Sequence, residues 1–175
     1  MTIPSYDVIV DIETNGFRHA GMAVHCIEAI VVQTGEQLHG ANQPGFTPLC
    51  DMKLLIETAR RVIGHNIVVF DLPALERVLG IIVPTDKVID TLIASRVLTA
   101  DRRELDALDP AMPVDLIGRH SLDSWGWRLK VRKDNFAHRQ DQPWSPELQA
   151  HCELDTIISW ALYDHLCSIY AGALA

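Results

Sequence analysis

Three β-rich segments precede any helical pattern in this chain, and from there helix alternates with strand. That order constrains the fold more than any single residue does. YDVIVDIET (6–14) is rich in β-branched residues and ends at the turn pair Asn15-Gly16, which predicts a first strand. AVHCIEAIVVQ (23–33), a turn at Thr34-Gly35 and EQLHG predict two more, antiparallel to one another. TPLCDMKLLIETARR (47–61) has helical spacing with Thr47 as N-cap and Pro48 at the first helical position, and RVIGHN then predicts a short buried strand. VFDLPALERVLG (69–80) is a helix stopped by Gly80, and KVIDTLIASRVL is a strand running into a helix. Residues 101–120, with two prolines and no clear period, predict a loop. HSLDSWGWRLK forms a helix capped by Ser121, and SPELQAHCELDTIISWALYDHLCSIY (145–170), capped by Ser145 with Pro146 next, is the longest element. A meander followed by alternation predicts an α/β layer fold with a mixed sheet, whose RVIGH and KVIDT strands run parallel to the first. Such sheets bind ligands at the carboxyl ends of their strands.

At 175 residues the chain has the length of one ordinary domain, 1–175, with a globular 48% of hydrophobic residues. It has no apolar run long enough to span a bilayer, and its start lacks the order of a signal peptide, so a cytoplasmic location away from membranes is expected. Cys26, Cys50, Cys152 and Cys167 lack metal-site or disulfide-frame spacing and are expected to be buried free thiols. A net charge of −8 argues against generic electrostatic binding to nucleic acid. The charge is uneven, however: residues 96–139 sum to +2 and the remainder to −10, with RLKVRK (128–133) the densest cationic run. Alone, that run reads better as a solvated helix end.

Several carboxylates fit their surroundings poorly. Asp11 and Glu13, at i and i+2 on the first strand, point to one face, where like charges repel unless a cation is shared. Asp71 lies in the first turn of its helix, a place the helix dipole favours without any catalytic role. Asp90, between strand and helix, is accounted for as an N-cap. On the last helix Leu148, His151, Asp155, Ile158, Leu162, Leu166 and Ile169 share one face, and His151 and Asp155 interrupt an apolar stripe. A buried ion must be paired or bound to metal, whereas a buried histidine can be an ordinary core residue. The oxygen-rich set Asp11, Glu13, Asp71 and Asp155 suits Mg²⁺ or Mn²⁺.

Taken in order, these residues resemble the DEDD superfamily of 3′–5′ exonucleases, which share a ribonuclease H-like fold. DIET (11–14) resembles the first motif, HNIVVFDLPAL (65–75) the second and HCELD (151–155) the third. VIDTLIASRVL (88–98) and GRHSLDSWGWRLKVRKDNF (118–136) resemble the stretch between the second and third motifs in the proofreading domain of phage-type family A DNA polymerases. The resemblance runs from about residue 7 to 166. The third motif departs from that group in carrying His151 where the close relatives have tyrosine. The histidine branch of the superfamily uses the spacing H-x-x-x-x-D, and the spacing here, H-x-x-x-D, is that of the tyrosine branch.

The resemblance implies that Asp11, Glu13, Asp71 and Asp155 hold two divalent metal ions, Mg²⁺ or Mn²⁺. It also implies that DNA is hydrolysed from single-stranded or frayed 3′ ends to 5′-mononucleotides. His151, on the same helix face as Asp155, is expected to replace the tyrosine as base or water-orienter. Thr14, Phe17 and Asn66 are the implied contacts to the terminal nucleotide, and Arg128 and Lys130 the implied phosphate contacts. Phe17 is equally an ordinary core residue. The length leaves no room for a polymerase domain, so a proofreader of this size would serve a separate polymerase or other replication protein. An exoribonuclease of the same fold and a non-catalytic nucleic-acid-binding or polymerase-partner module are the alternatives.

Overall fold

In a computed structural model, residues 6–16, 21–131 and 143–171 are described. Among the described residues, five strands form one mixed sheet: β1 (Asp7–Thr14), β2 (Val24–Val31), β3 (Gln37–Ala41), β4 (Arg61–Gly64) and β5 (Val88–Asp90), in the order β3-β2-β1-β4-β5. β1 pairs antiparallel with β2 and parallel with β4, β2–β3 is antiparallel and β4–β5 parallel, as the meander and the two crossovers predict. The helices are α1 (Leu49–Thr58), α2 (Asp71–Leu79), α3 (Thr91–Leu98), α4 (Arg102–Asp106), α5 (Leu122–Leu129) and α6 (Pro146–Ile169).

The pleat of β1 sorts its side chains between two layers. Val8, Val10 and Ile12 are buried with Leu49, Met52 and Ile56 of α1 and Ala74 and Leu75 of α2. Ile9 faces the other way, packed with Ile30, Ile63 and Tyr163 of α6. Asp11 and Glu13 have the parity of Ile9 and therefore lie under α6. α6 begins as predicted: the Ser145 hydroxyl accepts from the Leu148 N–H at 3.2 Å, and Pro146 occupies the first turn. Leu148, Ile158, Leu162 and Leu166 are fully buried, but Ile169, placed on the same stripe, is half exposed because the helix outruns the sheet.

Three local expectations are corrected. Thr47 does not cap α1: its N–H donates to the His39 carbonyl and its carbonyl accepts from Ala41, both at 2.9 Å, so it extends the β3 edge and the helix starts at Leu49. Within 101–120 lie α4 and a 3-10 turn at Val114–Leu116, anchored by Asp106. The carboxylate of Asp106 receives Arg128 in a two-pronged pair at 2.9 and 2.6 Å and the Gly118 N–H at 2.8 Å. Burial pushes Asp106 up, but Arg128 and Gly118 hold it below the usual carboxylate range. Cys50, thirdly, is exposed, while Cys26 and Cys152 are buried, and all four thiols are free.

The Asp106–Arg128 pair yields a stability prediction. Arg128→Met leaves a buried carboxylate without its counter-ion, and stability falls by about 3–5 kcal/mol, read as a lower urea midpoint. Because the folded pKa of Asp106 is depressed, the pair stabilises above the unfolded value of 3.8 and its contribution is lost as pH falls through the folded value. The difference between wild type and variant therefore shrinks in acid.

Candidate active site

The carboxyl end of β1 meets the start of α2 and the first half of α6. Asp11 and Glu13 come from β1, and a register shift between Glu13 and Thr14 ends the regular pairing with β2 just past them. Asp71 opens α2 and is 4% exposed. Its carboxylate accepts the backbone N–H of Ile12, the residue between the two β1 acids, which ties the start of α2 to the end of β1. Burial pushes the Asp71 carboxyl up to about 8; hydrogen bonds from its own N–H and that of Ile12 oppose the rise, and the charges of Glu13 and Asp90 add to it. Asp155, 7% exposed, projects from α6.

His151 sits between two of these acids, its Nε2 4.0 Å from Glu13 Oε1 and 3.9 Å from Asp155 Oδ2. The imidazole, one turn before Asp155, thus bridges the first and third motifs. Cys152, on the adjoining face, brings its Sγ to 3.5 Å from Asp11 Oδ2. Burial drives that thiol well above its ordinary pKa, helped by contact with Cys26 and by the charges of Asp11 and Glu13. A buried thiol held in its neutral form is a poor nucleophile.

As they stand, no three acid, imidazole or thiol groups among the described residues are gathered tightly enough to hold one metal ion. The donor chemistry nevertheless suits a hard divalent cation: the carboxylates come from β1, α2 and α6 near the end of β1, and burial holds the Asp71 carboxyl above the usual carboxylate range.

The other expected residues separate into groups. Thr14 is buried at the end of β1, its hydroxyl donating to the Gly16 carbonyl at 3.1 Å. Phe17 lies outside the described residues, as do Arg132 and Lys133 of the cationic run. Asn66 takes a left-handed conformation (φ 61°), tolerable for asparagine, that turns the chain from β4 into α2. Its carbonyl accepts from Phe70 and its N–H donates to Asp90. Asp90 is the N-cap expected, accepting from Leu92 and Ile93, and it also ties down this turn through Val68. Arg128 is not among the site groups: 9% exposed, it is committed to Asp106 and to the Arg119 carbonyl and lies over the Trp125 ring. Lys130, left-handed at the end of α5, is exposed.

Sequence reasoning misses Glu28. Paired across the ladder with Asp11, it is 2% exposed on the same face, hydrogen-bonded by Gln149 of α6 and 2.8 Å from His39 Nδ1. Burial raises its carboxyl to about 7 against the pull of Gln149 and His39. Gln149 in turn accepts from the Trp144 indole at 2.8 Å, so a buried polar chain fixes the start of α6 beside the acids. The visible signal is a glutamate inside the apolar run Val24–Val31.

No protein-family model matches the chain. It is 24% identical over 139 residues to the DNA-directed DNA polymerase of Enterobacteria phage T3, covering 74% of this chain and 20% of the polymerase. The chain thus spans about a fifth of the length of that relative. Brucella melitensis NrnC bound to pGG superposes with TM-score 0.65 at 18% identity over 95% of this chain and 74% of that one. NrnC with bound Mg²⁺ gives 0.62 at 17% identity, with the same coverage. The Aedes aegypti Nibbler EXO domain gives 0.65 at 12% identity over 95% and 79%. At these identities the likeness establishes the fold.

Proposed function

We propose that this chain, which has the ribonuclease H-like fold of the DEDD 3′–5′ exonucleases, is itself a metal-dependent 3′–5′ exonuclease that acts on single-stranded or frayed DNA. The observation that supports the reading is His151 set between Glu13 and Asp155, with the buried Asp71 accepting the N–H of Ile12 between the two β1 acids. That arrangement destabilises the fold unless positive charge enters it, and so it points to a function.

Asp11, Glu13, Asp71 and Asp155 would hold the metal, in the two-ion form expected for this fold. Such ions would supply charge neutralisation at the scissile phosphate and a more acidic water. The chain's own groups do the rest. His151 Nε2, held between Glu13 and Asp155, accepts the proton of the attacking water. Thr14, at the strand end, abuts the terminal nucleotide. Water attack at phosphorus breaks the bond to the 3′ oxygen of the penultimate nucleotide, which leaves with a proton, and a 5′-mononucleotide is released.

The likeness to a phage DNA polymerase favours DNA. Incubating 5′-labelled single-stranded DNA and its sequence-matched RNA with Mg²⁺ tests substrate and direction together. The expected result is a ladder shortened from the 3′ end, on DNA in preference to RNA. Faster shortening of RNA would make the 2′-hydroxyl a recognised group and the protein an exoribonuclease. No shortening of either strand would mark a non-catalytic nucleic-acid-binding module.

A further inference from the structure

Away from the acids, the layer between α4, α5 and the second half of α6 is built around one tryptophan. Trp125 is fully buried against Leu162 and Leu166 of α6, with His165 and His120 tilted on its ring at centroid distances of 5.7 and 6.2 Å. Two guanidiniums lie over the same indole, that of Arg128 at 4.6 Å and that of Arg102 at 5.6 Å from its centroid. His165 is ten residues beyond Asp155, about 15 Å along α6, so the cluster is separate from the carboxylates.

Among the described residues, three buried donors around this ring have no acceptor: Trp125 Nε1, Arg128 Nη1 and Arg102 Nε. An unmade buried N–H is costly, and more so on a charged group, so three on one cluster point to an acceptor from outside the chain. The charges agree. Arg102 and Arg128 bring two positive charges, and Asp106, paired with Arg128 at 2.6 Å, returns one. Both histidines register the surplus. Burial depresses the protonation of His165 most and Arg102 adds to it, against Asp164; burial, then Arg128, Arg96 and Arg102, depress that of His120, against Asp106.

The donors also limit what can supply the missing negative charge. Asp106 occupies the fork of Arg128 through Nε and Nη2, and Nη2 donates to the Arg119 carbonyl as well, which leaves only Nη1. Arg102 contributes its Nε and Trp125 its one N–H. Separate single donors suit a compact spherical anion, whereas a phosphate or carboxylate favours the two-pronged grip that Asp106 has already taken. We infer that Trp125, Arg102 and Arg128 form an internal site for one monovalent halide, chloride in ordinary solution, that ties α4 and α5 to α6.

The test is thermal unfolding at fixed ionic strength, with sodium gluconate exchanged stepwise for sodium chloride and EDTA present throughout. Wild type should melt at least about 3 °C higher at the chloride end, along a saturating curve. Sodium bromide should stabilise likewise and should quench tryptophan emission with the same midpoint, since it sits on the indole N–H. Trp125→Phe keeps a ring but no N–H, and Arg102→Gln removes one charge. Each should reduce the chloride shift to under about 1 °C, and Trp125→Phe should also lose the saturable quench. Arg102→Gln, at a partly exposed position, decides the matter if Trp125→Phe does not fold. Arg77→Gln, at an exposed position on α2, should keep the full shift. Melting of wild type that ignores chloride would mean that water meets the three donors, and would overturn the site. The same chloride shift in Arg102→Gln as in wild type, or stabilisation by phosphate and not by chloride, would overturn it too. No step reads turnover, so the outcome bears on this site and not on the exonuclease reading.

Discussion

Asp71→Asn should abolish nucleotide release, by about 10³-fold or more, and should at the same time make the metal-free protein more stable at neutral and alkaline pH. The two effects have one cause. Removing a metal-ligating carboxylate forfeits several kcal/mol of transition-state charge stabilisation, which sets the loss of rate. The stability effect comes from linkage. In the folded chain the Asp71 carboxyl is pushed up to about 8 from an ordinary value of 3.8. Between those two values the folded state keeps a proton that the unfolded state releases, so stability falls as pH rises across that window. Asparagine removes that dependence. In thermal unfolding with EDTA the variant should melt at least about 3 °C above wild type at pH 9, with the gap closing toward pH 4. A variant less stable than wild type at pH 9 would mean that Asp71 is a structural acid held by the Ile12 N–H. Mg²⁺ should reverse the order, stabilising wild type and leaving the variant where it was.

The second large effect is expected at His151. Its Nε2 lies about equally far from Glu13 and Asp155, within reach of a water between them and not as a packed core group. His151→Ala should lower turnover by about 10²–10⁴-fold, the usual worth of a positioned base, while divalent-metal binding persists. His151→Tyr discriminates base from orienter. Tyrosine keeps a polar group on the same helix turn but does not take up a proton near neutrality, so recovery of activity by the tyrosine variant would assign His151 to orienting the water. Full activity of His151→Ala from pH 6 to 9 would remove it from the mechanism.

Much of the site is legible in the sequence, for reasons that differ by residue. Asp11 and Glu13 share a face by the period of a strand, and His151 and Asp155 by that of a helix, so both pairs need only local geometry. Which layer the β1 acids face is not legible, because Val8 and Ile9 are equally apolar; it is decided by Ile9 packing on Tyr163. Arg128 shows the limit of reading charge runs. RLKVRK looks solvated, but one member folds back onto Asp106, 22 positions earlier in a stretch without periodicity, and no local pattern encodes that contact. Glu28 is within reach of sequence reasoning, since it interrupts an apolar strand as Asp155 interrupts an apolar helix.

The claim beneath these predictions is that the buried acids are a divalent-cation site. Calorimetric titration of Mn²⁺ into the wild-type chain and Asp155→Asn tests it without reference to substrate. The account predicts saturable binding with proton release by wild type, as the cation displaces the Asp71 proton into the buffer, and binding weakened at least about tenfold in the variant. No saturable heat from wild type, or the same isotherm from both proteins, would contradict it.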